Sequence, residues 1–352
     1  MSRAAFGIGK SAMSDEGYTT DVLIVGAGLA GLMAANALLT QGWRVVVLEG
    51  QQEVGGRLAT RRVGPGRADH GAQFFTVRTP EFQVWVDQWI TEELVYRWST
   101  GWSDGSLSQV PSEGHPRYAV RGGMVALAQR LVHGVDVRVG TPLATLTPTP
   151  RGWWARDATG QTHICRAVLL TPPVPQALIL LEGSRVALAE PEHAALAAID
   201  YDPCLAGIFW VDGSIYLPQP GAIQRPDAPI AWIADNQRKG ISPQATLITV
   251  HAGADYSRQL WDEPEGVALE ALRRAIDPYL DRGATVRQAH LERWRYASPR
   301  SAWPERSLLA AGLPPLAFAG DAFGGPRVEG AALSGMAAAQ ALMARLQATA
   351  GG

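Results

Sequence analysis

The chain has 352 residues, 47% of them hydrophobic and 18% charged, with a formal net charge of −2. That is enough apolar material for two packed domains and too little charge for a disordered chain, and the near-neutral balance excludes a global basic field for nucleic acid or a polybasic lipid patch. The two cysteines, Cys165 and Cys204, form no C-x-x-C, which argues against a disulfide scaffold, a metal site or a dithiol redox centre and for reduced thiols in a cytoplasmic protein.

Residues 1–19 are small and polar and read as a disordered lead-in. Asp21–Val25 is a buried-strand run, Gly26–Gly31 a glycine turn, and Leu32–Thr40 a helix closed by Gly42. The apolar stretch Val22–Leu39 resembles a membrane span in composition alone; its glycines and Asn36 fit strand, turn and helix instead. Trp43–Glu49 completes a βαβ opening. From Phe74 to about Tyr118 the texture changes: Trp85, Trp89, Trp98 and Trp102 crowd a segment with turn clusters at Ser103–Gly105 and Pro111–Pro116. Gly122–His133 is predicted helical. Val135–Val139, Leu143–Leu146, Trp153–Ala155 and Ala167–Leu170 are predicted strands. Further strands are predicted at Ala206–Val211, Ile230–Ala234 and Thr246–Ala252, with a helix near Glu265–Leu280. Pro314–Gly320 is the last predicted core strand, and Val328–Gln347 an Ala-rich helix. The predicted class is α/β, a two-domain protein in which a Rossmann-like dinucleotide-binding domain (20–73, 119–199 and 299–352) interleaves with a mixed or antiparallel-sheet substrate domain (74–118 and 200–298). Such interleaving places the active site between the domains.

The glycine turn carries the first chemistry. Gly26 permits the tight turn, Gly28 lets backbone approach a pyrophosphate at the helix N-terminus alongside Leu29 and Ala30, and Gly31 lets helix and strand pack closely. Glu49, ending the second strand, is placed to accept from ribose hydroxyls. Gly55-Gly56-Arg57 adds a second glycine loop and a guanidinium for the pyrophosphate, which a plain NAD dehydrogenase does not need.

From here the sequence resembles the flavin amine oxidase superfamily and, within it, the renalase-like branch. The resemblance rests on Gly55-Gly56-Arg57, on Asp69-His70-Gly71-Ala72-Gln73-Phe74-Phe75-Thr76, on Arg121-Gly122-Gly123-Met124 and on Thr171-Pro172-Pro173-Val174-Pro175-Gln176. It continues through Trp294-Arg295-Tyr296-Ala297, Gly320-Asp321, Arg327-Val328-Glu329-Gly330-Ala331 and Leu333-Ser334-Gly335, so that it spans about residues 20 to 347. His70, where an aliphatic residue is usual, and Gly123, where proline is usual, depart from the pattern. The resemblance implies FAD, with Asp321 on its ribityl or pyrophosphate portion, Val137 by the adenine, Gly71, Ala72, Gln73 and Phe74 along the ring, and Thr171 in the strand-ending loop. Val328 would open a helix whose positive end faces the flavin pyrimidine ring. The closing motif holds no Cys, His or Tyr, so non-covalent FAD is expected.

Lysine is nearly absent; only Lys10 and Lys239 occur. Amine oxidases of the superfamily usually place a Lys near flavin N5, and Lys239, in an Asn-Gln-Arg-Lys-Gly turn, reads better as a solvated turn residue. The renalase-like branch oxidises 2- and 6-dihydro isomers of NAD(P) and passes electrons to O2, giving H2O2. That chemistry removes no N–H proton and needs no dedicated base. The expected function is therefore oxidation of a dihydronicotinamide isomer, with an amine oxidase or desaturase as the alternative and a non-catalytic flavoprotein that binds a partner as a weaker one. Pocket candidates are Phe74, Trp232, Trp294 and Tyr296 for stacking, Asn236 and His251 for orienting an amide, and Arg327 for attracting an anion.

Overall fold

The computed structural model describes residues 19–105 and 114–350. The predicted lead-in, except for Thr19, and part of the Pro111–Pro116 turn cluster lie outside the described residues.

The chain opens with β1 (Thr20–Val25), α1 (Leu29–Thr40) and β2 (Val45–Leu48). A hairpin of β3 (Thr60–Val63) and β4 (Gly66–Asp69) follows, then β5 (Phe75–Thr76), α2 (Pro80–Thr91), β6 (Val95–Ser99) and β7 (Arg117–Val120). Next come α3 (Val125–Leu131), β8 (Asp136–Arg138), β9 (Leu143–Thr149), β10 (Gly152–Asp157), β11 (Thr162–Leu170), α4 (Val174–Gly183) and α5 (Glu190–Ala197). The next stretch holds β12 (Tyr201–Asp212), β13 (Ala222–Gln224), β14 (Ile230–Asp235), α6 (Asn236–Lys239), β15 (Thr246–Ala252), α7 (Ala254–Gln259), α8 (Glu265–Arg273) and β16 (Thr285–Pro299). The chain closes with β17 (Leu308–Leu309), β18 (Leu316–Phe318) and α9 (Val328–Ala350).

Two sheets organise these elements. The first has the order β17-β18-β11-β1-β2-β8, with β10 and β9 continuing from β11, and β1 runs parallel to both β2 and β11. Both faces of β1 are covered: Val22 and Ile24 pack with α1, α3 and α9, while Leu23 packs with α4, α5 and β10. That explains its unbroken apolar run. The second sheet is antiparallel, in the order β13-β14-β15-β12-β16. One face packs on α8 through Ala268 and Leu272; the other meets the β3–β4 hairpin through Val63 and Ala68. Among the described residues no helix is long and apolar enough to cross a membrane.

Three differences from the sequence reading have physical causes. α2 is capped by the Thr79 side chain, with Pro80 at its first position, and buries Phe82, Val86 and Trp89 in the first core rather than the second. Its i, i+4, i+7 pattern was hidden by the surrounding tryptophans. Strand β16 is long but rarely buried, an edge strand whose charged residues Arg287, Glu292, Arg293 and Arg295 erase the alternation. The helix predicted to run to Leu280 stops at Arg273, before Pro278.

Helices α1 and α9 cross at contact distance. A Cβ on Gly335 would lie 2.0 Å from the Ala30 carbonyl oxygen, which is backbone and cannot swing aside. Gly335→Ala is expected to force the helices apart and cost about 1–3 kcal/mol, read as a lowered urea midpoint; an unchanged midpoint would refute the close-crossing argument.

Candidate functional site

Strand β1 ends in Gly26, whose φ of +100° suits glycine. The Thr171 hydroxyl donates to the Val25 carbonyl at 2.8 Å and fills the space behind that turn. Gly28 then caps α1 without any side-chain hydrogen bond, and the first turn holds no acid. Its backbone N–H groups therefore keep their positive end free. A Cβ at Gly28 would meet nothing within 4 Å, so this end of the helix faces open space. Gly55 bridges to Gly28 and brings the second glycine loop alongside the first. Leu29 and Ala30 bury their side chains, and Val137 pairs with Val47 on the neighbouring strand. Glu49 is buried; its carboxylate accepts from Ala27 N at 2.7 Å and Gln51 N at 2.8 Å, which fixes the turn.

Arg57 and Asp321, 264 residues apart, meet. The guanidinium donates to Asp321 at 2.5 and 2.7 Å and to the carbonyls of Tyr296 and Ala297 at 3.2 Å each. The second glycine loop is thereby tied to the segment after β18 and to the end of β16.

The loop Asp69–Gln73 is held from several sides at once. Lys239, read from sequence as a solvated turn residue, is completely buried and donates to Asp69 Oδ2 at 2.5 Å and to the Gln73 carbonyl at 2.6 Å. That reading is corrected. Asp235 caps the short helix α6, and Gly240 ends it at φ +93°, so Lys239 is turned inward rather than toward water. Burial pulls its ammonium below the ordinary lysine range, and the Asp69 charge pulls it back up. The other oxygen of Asp69 accepts from Thr60 Oγ1 at 2.5 Å and Met124 N at 2.8 Å. Thr249 Oγ1 donates to the Asp69 carbonyl at 2.7 Å, and Ala72 N donates to the Arg57 carbonyl at 2.8 Å. A Cβ on Gly71 would lie 2.1 Å from that same Arg57 oxygen.

Asn236 is a second correction. It was expected to orient a substrate amide, but it is fully buried, and its own amide is consumed: Nδ2 donates to the Leu247 carbonyl and Thr249 Oγ1, and Oδ1 accepts from Asp69 N. It holds the loop; it does not face a pocket.

The remaining candidates divide. Phe74 and Trp232 lie 5.4 Å apart, centroid to centroid, in a cluster completed by Trp98 and Trp102. Of these four, sequence reasoning named only two as site residues, because Trp98 and Trp102 sit in a segment already rich in tryptophan. His251 pairs across the strands with Trp232, and its Nε2 lies 3.4 Å from Gln73 Nε2. Trp294 stacks on His70 at 5.4 Å and donates its indole N–H to the His70 carbonyl at 2.9 Å. Burial holds both His70 and His251 down to about 4, so both rings are neutral near pH 7. Tyr296 sits elsewhere, edge-on to Tyr201 in the first domain's second core cluster. Arg327 is exposed, with φ +102°, and lines a cavity of about 280 Å³ with Arg78 and Arg306.

The uncapped helix end, the open space at Gly28 and a buried, unpartnered Gln73 Oε1 are the features a bound flavin dinucleotide would use.

Comparison with known proteins agrees. The model of the flavin containing amine oxidoreductase family matches residues 97–343, and that of an NAD(P)-binding Rossmann-like domain matches residues 24–89. A putative flavin-containing monoamine oxidase of Mycobacterium tuberculosis is 49% identical over 63 residues, 18% of this chain and 14% of that protein. A putrescine oxidase of Kocuria rosea is 39% identical over 75 residues, 21% of this chain and 16% of that one. The chain thus matches under a fifth of the length of either relative. In solved structures, a putative protoporphyrinogen oxidase from Exiguobacterium shares the fold at TM-score 0.70 and 14% identity, over 93% of this chain and 99% of that one. Wild-type putrescine oxidase shares it at TM-score 0.68 and 16% identity, over 92% and 99%. With its parallel dinucleotide-binding sheet joined to an antiparallel second sheet, this chain belongs to the flavin-containing amine oxidoreductase family.

Proposed function

We propose that the protein is an oxidase that removes a hydride from a carbon bonded to nitrogen. The observation that carries this reading is the aromatic wall of Phe74, Trp98, Trp102 and Trp232, directly beyond the tied-down loop Gly71–Gln73 in a flavin amine oxidoreductase. When bound, the flavin supplies hydride acceptance at N5 and reoxidation by O2, which yields H2O2. The chain's residues would bind and orient. The first turn of α1, with Gly28, Leu29 and Ala30, and Gly56 of the second loop would cradle the pyrophosphate; Arg57 and Asp321 would flank it, and Glu49 would border the adenosine ribose. Gly71, Ala72, Gln73 and the N-terminus of α9 at Val328 would border the ring. The FAD would be non-covalent: burial pushes both thiols, Cys165 and Cys204, up to about 12, and Cys165 lies in a core cluster.

Two substrate classes fit hydride removal next to nitrogen. The names of the relatives support an amine. A dihydronicotinamide isomer, the substrate of the renalase-like branch, is supported by a specific observation: Lys239 is spent on Asp69, and His70 and His251 are weak bases. Aromatisation of a dihydropyridine asks for no base, whereas a protonated amine must first lose a proton. Anaerobic mixing of the holoenzyme with putrescine, benzylamine, 2-dihydroNAD and 6-dihydroNAD tests both. Bleaching of the flavin by one class within seconds, and peroxide on admitting air, is the expected outcome; no bleaching by any of the four rejects the proposal.

A further inference from the structure

The cavity beside Arg327 lies where α2 and α9 begin. One buried carboxylate fastens the two helices together: Glu329 accepts from Arg78 N and Thr79 N at 2.8 Å each and from Thr79 Oγ1 at 2.6 Å. Arg78 and Arg327 are thereby held beside the same space of about 280 Å³. Arg306 reaches it from the segment before β17. The Arg306 stem lies over Gly324, where a Cβ would sit 2.8 Å from Arg306 Cγ, and a Cβ on Gly325 would meet nothing within 4 Å. Gly324 thus makes room for the arginine, and Gly325 leaves its side of the cavity open.

Three arginines therefore line a space with two acids beside it. Glu329 is spent on the start of α2, and Glu81 pairs with Arg306 at 2.5 Å. Among the described residues neither Arg78 nor Arg327 pairs with a carboxylate. Even with both acids counted, the cavity keeps a positive excess. Like charges gathered around so small a volume repel one another. An anion with several oxygens replaces that repulsion with forked, charge-assisted hydrogen bonds. Arg327 also holds φ +102°, a left-handed backbone angle that favours glycine. Glycine would make that turn with less strain, so what arginine adds there is its guanidinium.

We propose that Arg78, Arg306 and Arg327 form a binding site for a phosphate group. The volume holds such a group with a small organic part, and the guanidinium forks suit its several oxygens. Arg306, held by Glu81, supplies a fixed edge, while Arg78 and Arg327 close on the anion. Two sources offer this chemistry: a phosphate carried by the substrate, and free inorganic phosphate. The site does not rest on the reading of which donor reduces the flavin.

Arg327→Gly removes the guanidinium and gives the backbone the residue its φ favours, so folding is not put at risk. The FAD-loaded protein is titrated calorimetrically with inorganic phosphate and with phenyl phosphate at constant ionic strength, against chloride as the reference. Saturable one-to-one binding of both is expected. It should be about tenfold weaker in Arg327→Gly and in Arg78→Gln, and unchanged in Arg282→Gln, which alters an exposed arginine outside the cavity. Phosphate that slows flavin reduction competitively identifies the substrate as the source; phosphate that binds without competing identifies the free anion, and both results keep the site. No saturable binding, equal affinity in the wild type and Arg327→Gly, or an equal loss in Arg282→Gln overturns it. Phosphate binding by a protein whose flavin none of the four donors bleaches would keep the site and reject the oxidase reading.

Discussion

Replacing Lys239 by methionine is expected to destabilise the protein by about 3–5 kcal/mol, because it leaves Asp69 charged and unpaired in a fully buried place. The loss should not stay local. Asp69 also accepts from the Thr60 hydroxyl and the Met124 amide, and Lys239 also donates to the Gln73 carbonyl, so the whole Asp69–Gln73 loop loosens. The expected readouts are a lower urea midpoint and faster loss of FAD on dialysis. The double variant Lys239→Met with Asp69→Asn removes both charges, and should regain more than half of the lost stability. A single variant that costs less than about 1 kcal/mol would show that the pair is not the tie inferred above.

Stability should fall steeply as the medium is acidified from about pH 6.5 to pH 4. His70 and His251 each have a folded-state pKa lowered from 6.5 to about 4, chiefly by burial. The charges of Arg61 and His251 add to the effect on His70; at His251 the charge of Lys239 adds to it, and a hydrogen bond with the His70 backbone opposes it. Because the folded pKa lies below the unfolded one, the unfolded chain takes up protons first as pH falls. The contribution is whole above the unfolded pKa and is lost as pH drops through the folded one. It amounts to roughly 3–3.5 kcal/mol per ring before discounting for the partial exposure of His251. Urea midpoints measured between pH 7 and pH 4.5 should drop for the wild type and flatten in the His70→Gln/His251→Gln variant. Parallel slopes for the two proteins would mean that other groups carry the acid sensitivity.

Much of this architecture is legible in the residues. Gly26, Gly28 and Gly31 in a strand–turn–helix context mark the parallel sheet, and β15 runs over Thr246–Ala252 as its apolar run predicts. Short-range patterns of this kind record backbone demands that act within a few residues. The site is less legible, since its contacts join positions far apart in the chain. Nothing local distinguishes Asn236, with its amide consumed inside the fold, from an amide that faces a ligand. Nor does anything local reveal that Arg57 will find Asp321 264 residues later. One signal for Lys239 was present: it is the single lysine among the described residues, where every other permanently cationic side chain is an arginine. A narrow, fully buried position opposite one carboxylate suits a point charge better than a planar fork.

The sequence by itself determined the kind of protein: a flavin dinucleotide fold, its glycine loops and its two-sheet plan, because backbone geometry and hydrophobic period are local properties. Only the tertiary structure decided which polar side chains are buried and whom they meet. Whether a lysine is solvated or locked to Asp69, and whether an indole N–H finds an acceptor, depends on burial and on partners brought from distant strands, where the low dielectric makes each pairing count.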